Sequence, residues 1–146
     1  MTDNITIKRW GDAAAVIYDG PRSGLAGRNL IRARLDGVDL RGVDLSGAQL
    51  ILAHMSDADL SGAKLRDAVM IHAVMVSTVL RDADLSGAFL IEASMMGADL
   101  RGAKLIRADL RSANLVDADL TGADLSRTRM DGANLRGAIL PEGGKP

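Results

Sequence analysis

Hydrophobic residues recur along the chain with a period of five. Leu or Met occupies every fifth position from Leu25 to Leu140, twenty-four times without an insertion. From Ala33 to Ala138 a small residue, nearly always Ala, stands two positions before each of them, and the residue between the two is most often Asp or Asn. The two positions that follow are often Ser-Gly or Arg-Gly. The repeating unit is therefore A-(D/N)-L-(S/R)-G.

This period predicts a coil of short strands. It fits neither the period of about 3.6 of an amphipathic helix nor simple strand alternation. In an extended segment, positions two apart point to the same side, so Ala and Leu face one way and Asp faces the other. Glycine then supplies the backbone freedom for a corner. An interior filled by Ala and Leu has no room for rings, which agrees with an aromatic content of 2%.

Isoleucines give a clue to the number of sides in a coil. They follow the central Leu or Met at Ile31, Ile51, Ile71 and Ile91, a spacing of twenty residues. Four sides of five residues would stack these isoleucines in one column. Ile106 is the other isoleucine in such a slot, so a chance spacing stays open as the alternative.

The tandem A-(D/N)-L-x-x pattern resembles the pentapeptide-repeat proteins over about residues 23–142. The resemblance implies an all-β fold, a right-handed quadrilateral parallel β-helix with four repeats per coil. Twenty-four repeats then give about six coils. At about 4.8 Å per coil, the rod is roughly 29 Å long.

The front of the chain predicts a cap for this solenoid. Within residues 1–22, the segments ITIKRW and AAAVIY flank Gly11-Asp12, a pattern typical of a β-hairpin. Residues 23–140 form the predicted repeat region. Because Arg28 stands in a slot where Ala belongs, we expect regular coils from near Ala33.

The back of the chain predicts an open end. Residues 141–146 read PEGGKP, a flexible tail with no amphipathic segment that could cover the last coil. Ile139 and Leu140 are therefore candidates for an end-to-end contact between two copies. The alternative is that Pro141 and the tail blunt this edge.

Charge and composition narrow the expected binding partners and the expected cellular compartment. Eighteen Lys and Arg against nineteen Asp and Glu give a net charge of −1, so no long-range field favours nucleic acid or an anionic membrane. The chain has no Cys, and its N-terminus lacks the apolar stretch of a secretory signal. Its longest apolar run is too short to span a bilayer. We expect a cytoplasmic protein that binds neither nucleic acid directly nor membranes.

The sequence offers no catalytic site and no cofactor site. Every inward slot is taken by Ala, Leu, Met or a similar residue, and no loop interrupts the register, so neither a cavity nor a lid is expected. His54 and His72 fall on adjacent coils with Asp57 nearby, but this spacing is not a zinc pattern, and solvated surface histidines are the favoured interpretation. We expect a protein that is not an enzyme and holds no metal.

One stretch changes the outer surface while the repeat is kept. Residues 69–80, VMIHAVMVSTVL, keep Leu or Met at every centre but replace Asp, Ser and Arg outside by apolar residues. Together with apolar neighbours on two adjoining faces, these residues predict an apolar patch. The patch consists of Ile31, Ile51, Leu52, Val69, Ile71, Val74, Val76, Phe89, Ile91 and Met96. Val116 is expected to continue it.

Two interpretations of the apolar patch stay open. A continuous apolar surface of several hundred square ångströms on a soluble protein marks an interaction site. Such a site would bind an unidentified protein or a second copy of the chain. Alternatively, stacked β-branched residues stabilise a sheet through contacts between strands and bind nothing.

The resemblance also raises DNA mimicry, because the best-described members bind type II topoisomerases such as DNA gyrase and confer quinolone resistance. A mimic should carry a strongly acidic face. The most acidic predicted face has five Asp against three Arg, a net of −2, and consists of Asp39, Asp59, Asp82, Asp99 and Asp119 with Arg41, Arg81 and Arg101. Mimicry is therefore the second hypothesis, behind a protein-binding scaffold.

Overall fold

Each repeat forms one side of a square coil. A computed structural model of the chain describes residues 3–143. Parallel β-bridges join residues twenty positions apart, from Asn29 with Gln49 to Asp119 with Ile139. Each coil therefore contains four repeats, as predicted. The fold is a right-handed quadrilateral parallel β-helix.

A tight turn makes every corner. In the repeat around Leu50, the N–H of Ala53 donates to the carbonyl of Leu50 over 3.0 Å, and Leu52 between them has a φ of +58°. A bond from the first to the fourth residue with a positive φ at the third is the pattern of a type II turn. Twelve residues other than glycine hold this left-handed corner conformation, at about 1 kcal/mol or more each.

Leu, Met and Ala fill the interior, as the period predicts. The central Leu and Met side chains from Leu25 to Leu120 are buried, and so are nearly all the small residues. Thr78 occupies one of the small inward positions. Its hydroxyl is satisfied there, because Oγ1 donates to the carbonyl of Met55 over 2.8 Å. Thr128 does the same to the carbonyl of Leu105 over 2.7 Å.

An antiparallel hairpin covers the first coil. Strand β1 (Asn4–Arg9) pairs with β2 (Asp12–Pro21), and a short 3-10 helix (Arg22–Gly24) leads into the repeats. The other edge of β1 pairs with β3 (Ala33–Arg34), so the sheet order is β2-β1-β3. Ile7 of β1 is buried in the interior of the rod.

The coils begin earlier than the sequence suggests. Leu25 and Leu30 are already buried, and Gly27 donates to the carbonyl of Ser46 in the next coil over 2.8 Å. Arg28 is exposed, because its guanidinium turns back over the ring of Tyr18 at 5.4 Å. The expectation of regular coils only from near Ala33 is therefore wrong.

Towards the other end the central residues become accessible. Leu125, Met130, Leu135 and Leu140 are partly buried, whereas their counterparts one coil earlier are fully buried. Residues 144–146 of the predicted tail lie outside the described part of the chain. Between residues 3 and 143 no helix has the length and apolarity needed to cross a bilayer.

Candidate functional site

Backbone hydrogen bonds stack the apolar patch into columns. The N–H groups of Arg32, Leu52 and His72 donate to the carbonyls of Ile51, Ile71 and Ile91 over 2.9, 3.0 and 3.1 Å. These bonds hold the isoleucine column in register at one corner. From Ile31 to Ile91 the column crosses three coil spacings, about 14 Å.

The faces on either side of this corner extend the patch. On the first face, Val69 and Phe89 are partners in a parallel bridge. On the adjoining face, Val74 bridges Ser94, and the N–H of Ser77 donates to the carbonyl of Met96 over 2.9 Å. The structure therefore places all ten predicted residues on two neighbouring faces of the same coils.

The most accessible members of the patch are Phe89, Met96 and Leu52, which are 43%, 41% and 38% exposed. The seven other members are partly buried by neighbours on adjacent coils. Val116, which was expected to continue the patch, is only 5% exposed. The patch therefore ends on the coil of Met96 and consists of a partly covered aliphatic base with three projecting side chains.

Charged groups border the patch. One coil beyond Phe89, Asp109 is buried and accepts two hydrogen bonds from Arg111 at 2.8 and 2.7 Å, with Arg129 at 3.6 Å. The hydrogen bonds from Arg111 lower the pKa of Asp109 most strongly. At the corner, His72 Nδ1 lies 3.5 Å from a carboxylate oxygen of Glu92. The patch is therefore an apolar area with a polar rim.

The face predicted to be the most acidic is a ladder of paired charges. Arg101 forms a two-pronged contact with Asp99 at 2.8 and 2.9 Å, and Arg81 reaches the same carboxylate at 2.5 Å. The hydrogen bonds from Arg101 are the main cause that holds the pKa of Asp99 far below its ordinary range. Arg41 pairs with Asp39 in the same way, at 2.7 and 2.9 Å.

Other aspartates of the repeat stabilise corners. The carboxylates of Asp44, Asp59 and Asp124 accept the backbone N–H two positions later, at 3.0, 3.0 and 2.9 Å. These are Asx-turns, in which an Asp side chain takes the place of a backbone acceptor. Hydrogen bonds from the serine two positions later lower the pKa of each of these carboxyl groups. Their negative charges are thus engaged within the fold.

The two histidines have separate partners. The imidazole of His54 stacks on the indole of Trp10, with ring centroids 3.8 Å apart and an angle of 11° between the planes. The guanidinium of Arg34 lies 5.8 Å from the same indole. Among residues 3–143 there is no group of three ligands that could hold a metal ion. The stack, which the sequence interpretation missed, joins residues 44 positions apart, and no local pattern indicates it.

The candidate end contact lies on the last described coil. Ile139 is 56% exposed and bridges Asp119, and Leu140 is partly buried. These two side chains are far from the apolar patch along the rod. Self-association through them stays a prediction.

The repeat family is established by sequence as well as by shape. The family model described as pentapeptide repeats matches eight copies, over residues 25–57, 53–90, 73–111 and 103–140. The chain is a pentapeptide-repeat protein. Pentapeptide-repeat proteins are generally non-enzymatic.

Solved structures of other pentapeptide-repeat proteins are similar. Rfr23 from the cyanobacterium Cyanothece 51142 is 35% identical with a TM-score of 0.62, and the match covers 63% of this chain and 63% of that protein. The protein alr5209 from Nostoc Pcc 7120 is 32% identical with a TM-score of 0.56, over 80% of this chain and 77% of that one. This pentapeptide-repeat protein thus spans less than two thirds of the length of Rfr23.

A more distant neighbour is trypsin-treated QnrB1, a plasmid-mediated fluoroquinolone resistance protein. It is 22% identical with a TM-score of 0.53, over 80% of this chain and 67% of that one. At this identity the likeness shows the fold alone. No curated protein is similar enough in sequence to count as a relative.

Proposed function

We propose that this pentapeptide-repeat protein is a non-catalytic scaffold that binds another protein through the apolar patch. The proposal rests on a contrast within residues 69–80, where the buried positions follow the repeat but apolar side chains replace the polar ones on the outside. Met70, Met75 and Leu80 remain buried like every other central residue, while Phe89 and Met96 project from the outside. Exposed apolar area of this kind is concentrated where proteins bind partners.

The arrangement of polar groups supports a scaffold without a reaction. Among residues 3–143, the buried polar side chains are Thr78 and Asp109. Thr78 donates to a backbone carbonyl, and Asp109 is paired with Arg111, so both serve the fold. In the same part of the chain, every buried side-chain nitrogen and oxygen has a hydrogen-bond partner.

Sheet stability alone is the competing explanation, and matched substitutions separate the two. Ile71→Asp and Phe89→Asp place a charge on the patch. Ile106→Asp places the same charge at another corner, where Ile106 follows a central Leu as Ile71 follows Met70 and is also partly buried. All three variants should melt cooperatively, with similar small losses of stability.

The test is affinity capture from the native cell with the three variants as bait. We expect a defined partner to be captured by the wild-type protein and by Ile106→Asp, but not by Ile71→Asp or Phe89→Asp. A partner that binds all four proteins equally would contradict the proposal. If instead the partner is a second copy, light scattering should show a dimer for the wild type and a monomer for Ile71→Asp.

A further inference from the structure

A groove separates the hairpin from the first coils of the rod. Its volume is about 710 Å³. One wall comes from β1 and β2, and the other wall and the floor come from the first two coils. The groove is lined by Arg9, Val16, Asn29, Ile31, Arg32 and Leu52.

Two arginines line this groove. Neither Arg9 nor Arg32 forms a side-chain hydrogen bond or an ion pair within residues 3–143. Arg41, Arg101 and Arg111, elsewhere on the rod, each make two-pronged contacts with an aspartate. Unlike those three arginines, Arg9 and Arg32 keep guanidinium groups that are open to an anionic ligand.

The backbone holds both arginines in place. Arg9 is paired with Ala33 at the end of β1, and the N–H of Trp10 donates to the carbonyl of Arg32 over 2.6 Å. Arg32 itself occupies a left-handed corner with a φ of +59°. Because the main chain is fixed on both sides, both side chains start at the edge of the groove, and both line it in this structure.

Apart from Asn29, the remaining lining of the groove is apolar. Val16 is 51% exposed on β2, and Leu52 is exposed at its corner. Ile31 and Leu52 also begin the apolar patch, so groove and patch form one continuous surface. The side-chain oxygen of Asn29 is occupied by the N–H of Ile31 at 3.2 Å, which leaves its amide nitrogen as a donor at the groove.

We propose that the groove binds a peptide segment of the partner protein that carries an Asp or Glu carboxylate beside a large apolar side chain. The inference rests on the proposed function and specifies its partner. An arginine fork recognises a carboxylate in two-pronged geometry. Residues 3–36 carry six basic against four acidic side chains, although the whole chain has a net charge of −1. An acidic and apolar peptide segment matches both the positive charge of the two arginines and the apolar floor of the groove.

The test is selection from a phage-displayed library of random dodecapeptides on the full-length protein. We expect enrichment of peptides with Asp or Glu next to Leu, Ile, Phe or Met. The most enriched peptide, labelled with fluorescein, should bind Arg9→Ser/Arg32→Ser about tenfold or more weakly by anisotropy, because charge-assisted hydrogen bonds are lost. Leu52→Asp should weaken it as well, and added salt should reduce wild-type binding.

Two controls separate recognition from folding. Arg107→Ser/Arg127→Ser removes two arginines that also lack an ion pair within residues 3–143, at a corner elsewhere on the rod, and should bind the peptide like the wild type. Arg9→Lys/Arg32→Lys keeps the charge without the fork and should recover part of the affinity. Unchanged circular dichroism melting in all variants shows that the fold is intact.

Other outcomes of the peptide selection would decide against the groove, the patch or a foreign partner. No enrichment, enriched peptides without an acidic residue, or equal binding to Arg9→Ser/Arg32→Ser would overturn the inference. If Phe89→Asp abolishes peptide binding and the arginine variant does not, the groove inference is overturned while the proposed function stands. If the arginine variant abolishes peptide binding and Phe89→Asp does not, the result supports the groove and counts against the patch. An enriched sequence that copies a segment of this chain would replace the foreign partner by a second copy.

Discussion

Aspartates at left-handed corners lie over glycines of the next coil, and this arrangement can be tested by substitution. Asp67, at a φ of +55°, is followed one coil later by Gly87, at a φ of +70°. A Cβ on Gly87 would lie closer than 3.0 Å to Oδ1 of Asp67, a distance that real Cβ atoms essentially never show. Gly62, at a φ of +65°, has open space where its Cβ would be.

The two glycines therefore predict different costs for the same substitution. In Gly62→Ala, left-handed strain of about 1–2 kcal/mol is partly offset by about 0.4–1 kcal/mol from a less free unfolded chain, so the net loss is about 1 kcal/mol. Gly87→Ala has the same left-handed strain and the same offset from the unfolded chain. In addition, the carboxylate of Asp67 must turn away, which costs about 0.5 kcal/mol because it is the free end of an exposed side chain. We expect a total loss of about 1.5 kcal/mol.

Urea unfolding followed by circular dichroism measures the difference. Gly87→Ala should lose about 0.5 kcal/mol more than Gly62→Ala. Asp67→Ala removes the obstructing carboxylate but keeps a side chain at the left-handed corner, so Asp67→Ala/Gly87→Ala, measured against Asp67→Ala, should show only the loss seen in Gly62→Ala. The reasoning is refuted if the two single variants lose equal stability, or if removal of the carboxylate recovers none of it.

Four further results are expected. Thr78→Val should lose about 1 kcal/mol in urea unfolding, because a buried hydrogen bond to the carbonyl of Met55 disappears; an unchanged midpoint would contradict this. Because the folded pKa of Asp99 lies below its ordinary value of 3.8, its stabilising effect is present above that pH and is lost as the pH falls below it. Asp99→Asn should therefore flatten acid unfolding, and an unaltered pH profile would argue against the ion pairs. Trp10→Ala removes the stack on His54, so hydrogen exchange should accelerate in β1 but not in the central coils, since solenoid coils contact only their neighbours. Gyrase supercoiling should be unaffected by micromolar protein, because the acidic face is neutralised by its arginines; inhibition would revive DNA mimicry.

The repeat determines most of the fold from the sequence alone. A Leu every five residues with an Ala two before it leaves one way to bury both, and the isoleucine column predicts the twenty-residue coil that the bridge from Asn29 to Gln49 shows. The aspartates of the repeat serve arginines and corner amides, as Asp99 and Asp44 show. Periodicity predicts these features because each depends on neighbours within the same repeat or twenty positions away.

Other features depend on how the hairpin lies on the coils, which no period encodes. The stack of Trp10 on His54, the outward turn of Arg28 and the groove beside Arg32 all result from that placement. The left-handed conformation of residues such as Leu52 was also not predicted, since glycine is the usual sign of that conformation. Of the candidate site, the sequence predicted the location of the patch, and the structure added its limit at Val116.

The central claim is that the protein acts through the apolar patch, and photo-crosslinking in the native cell tests it most directly. A benzoylphenylalanine at position 89 stands on the patch, and one at position 106 stands at another corner, outside the patch. We predict a discrete crosslinked product from position 89 and none from position 106. Equal products from both positions, or a product from position 106 alone, would contradict the account.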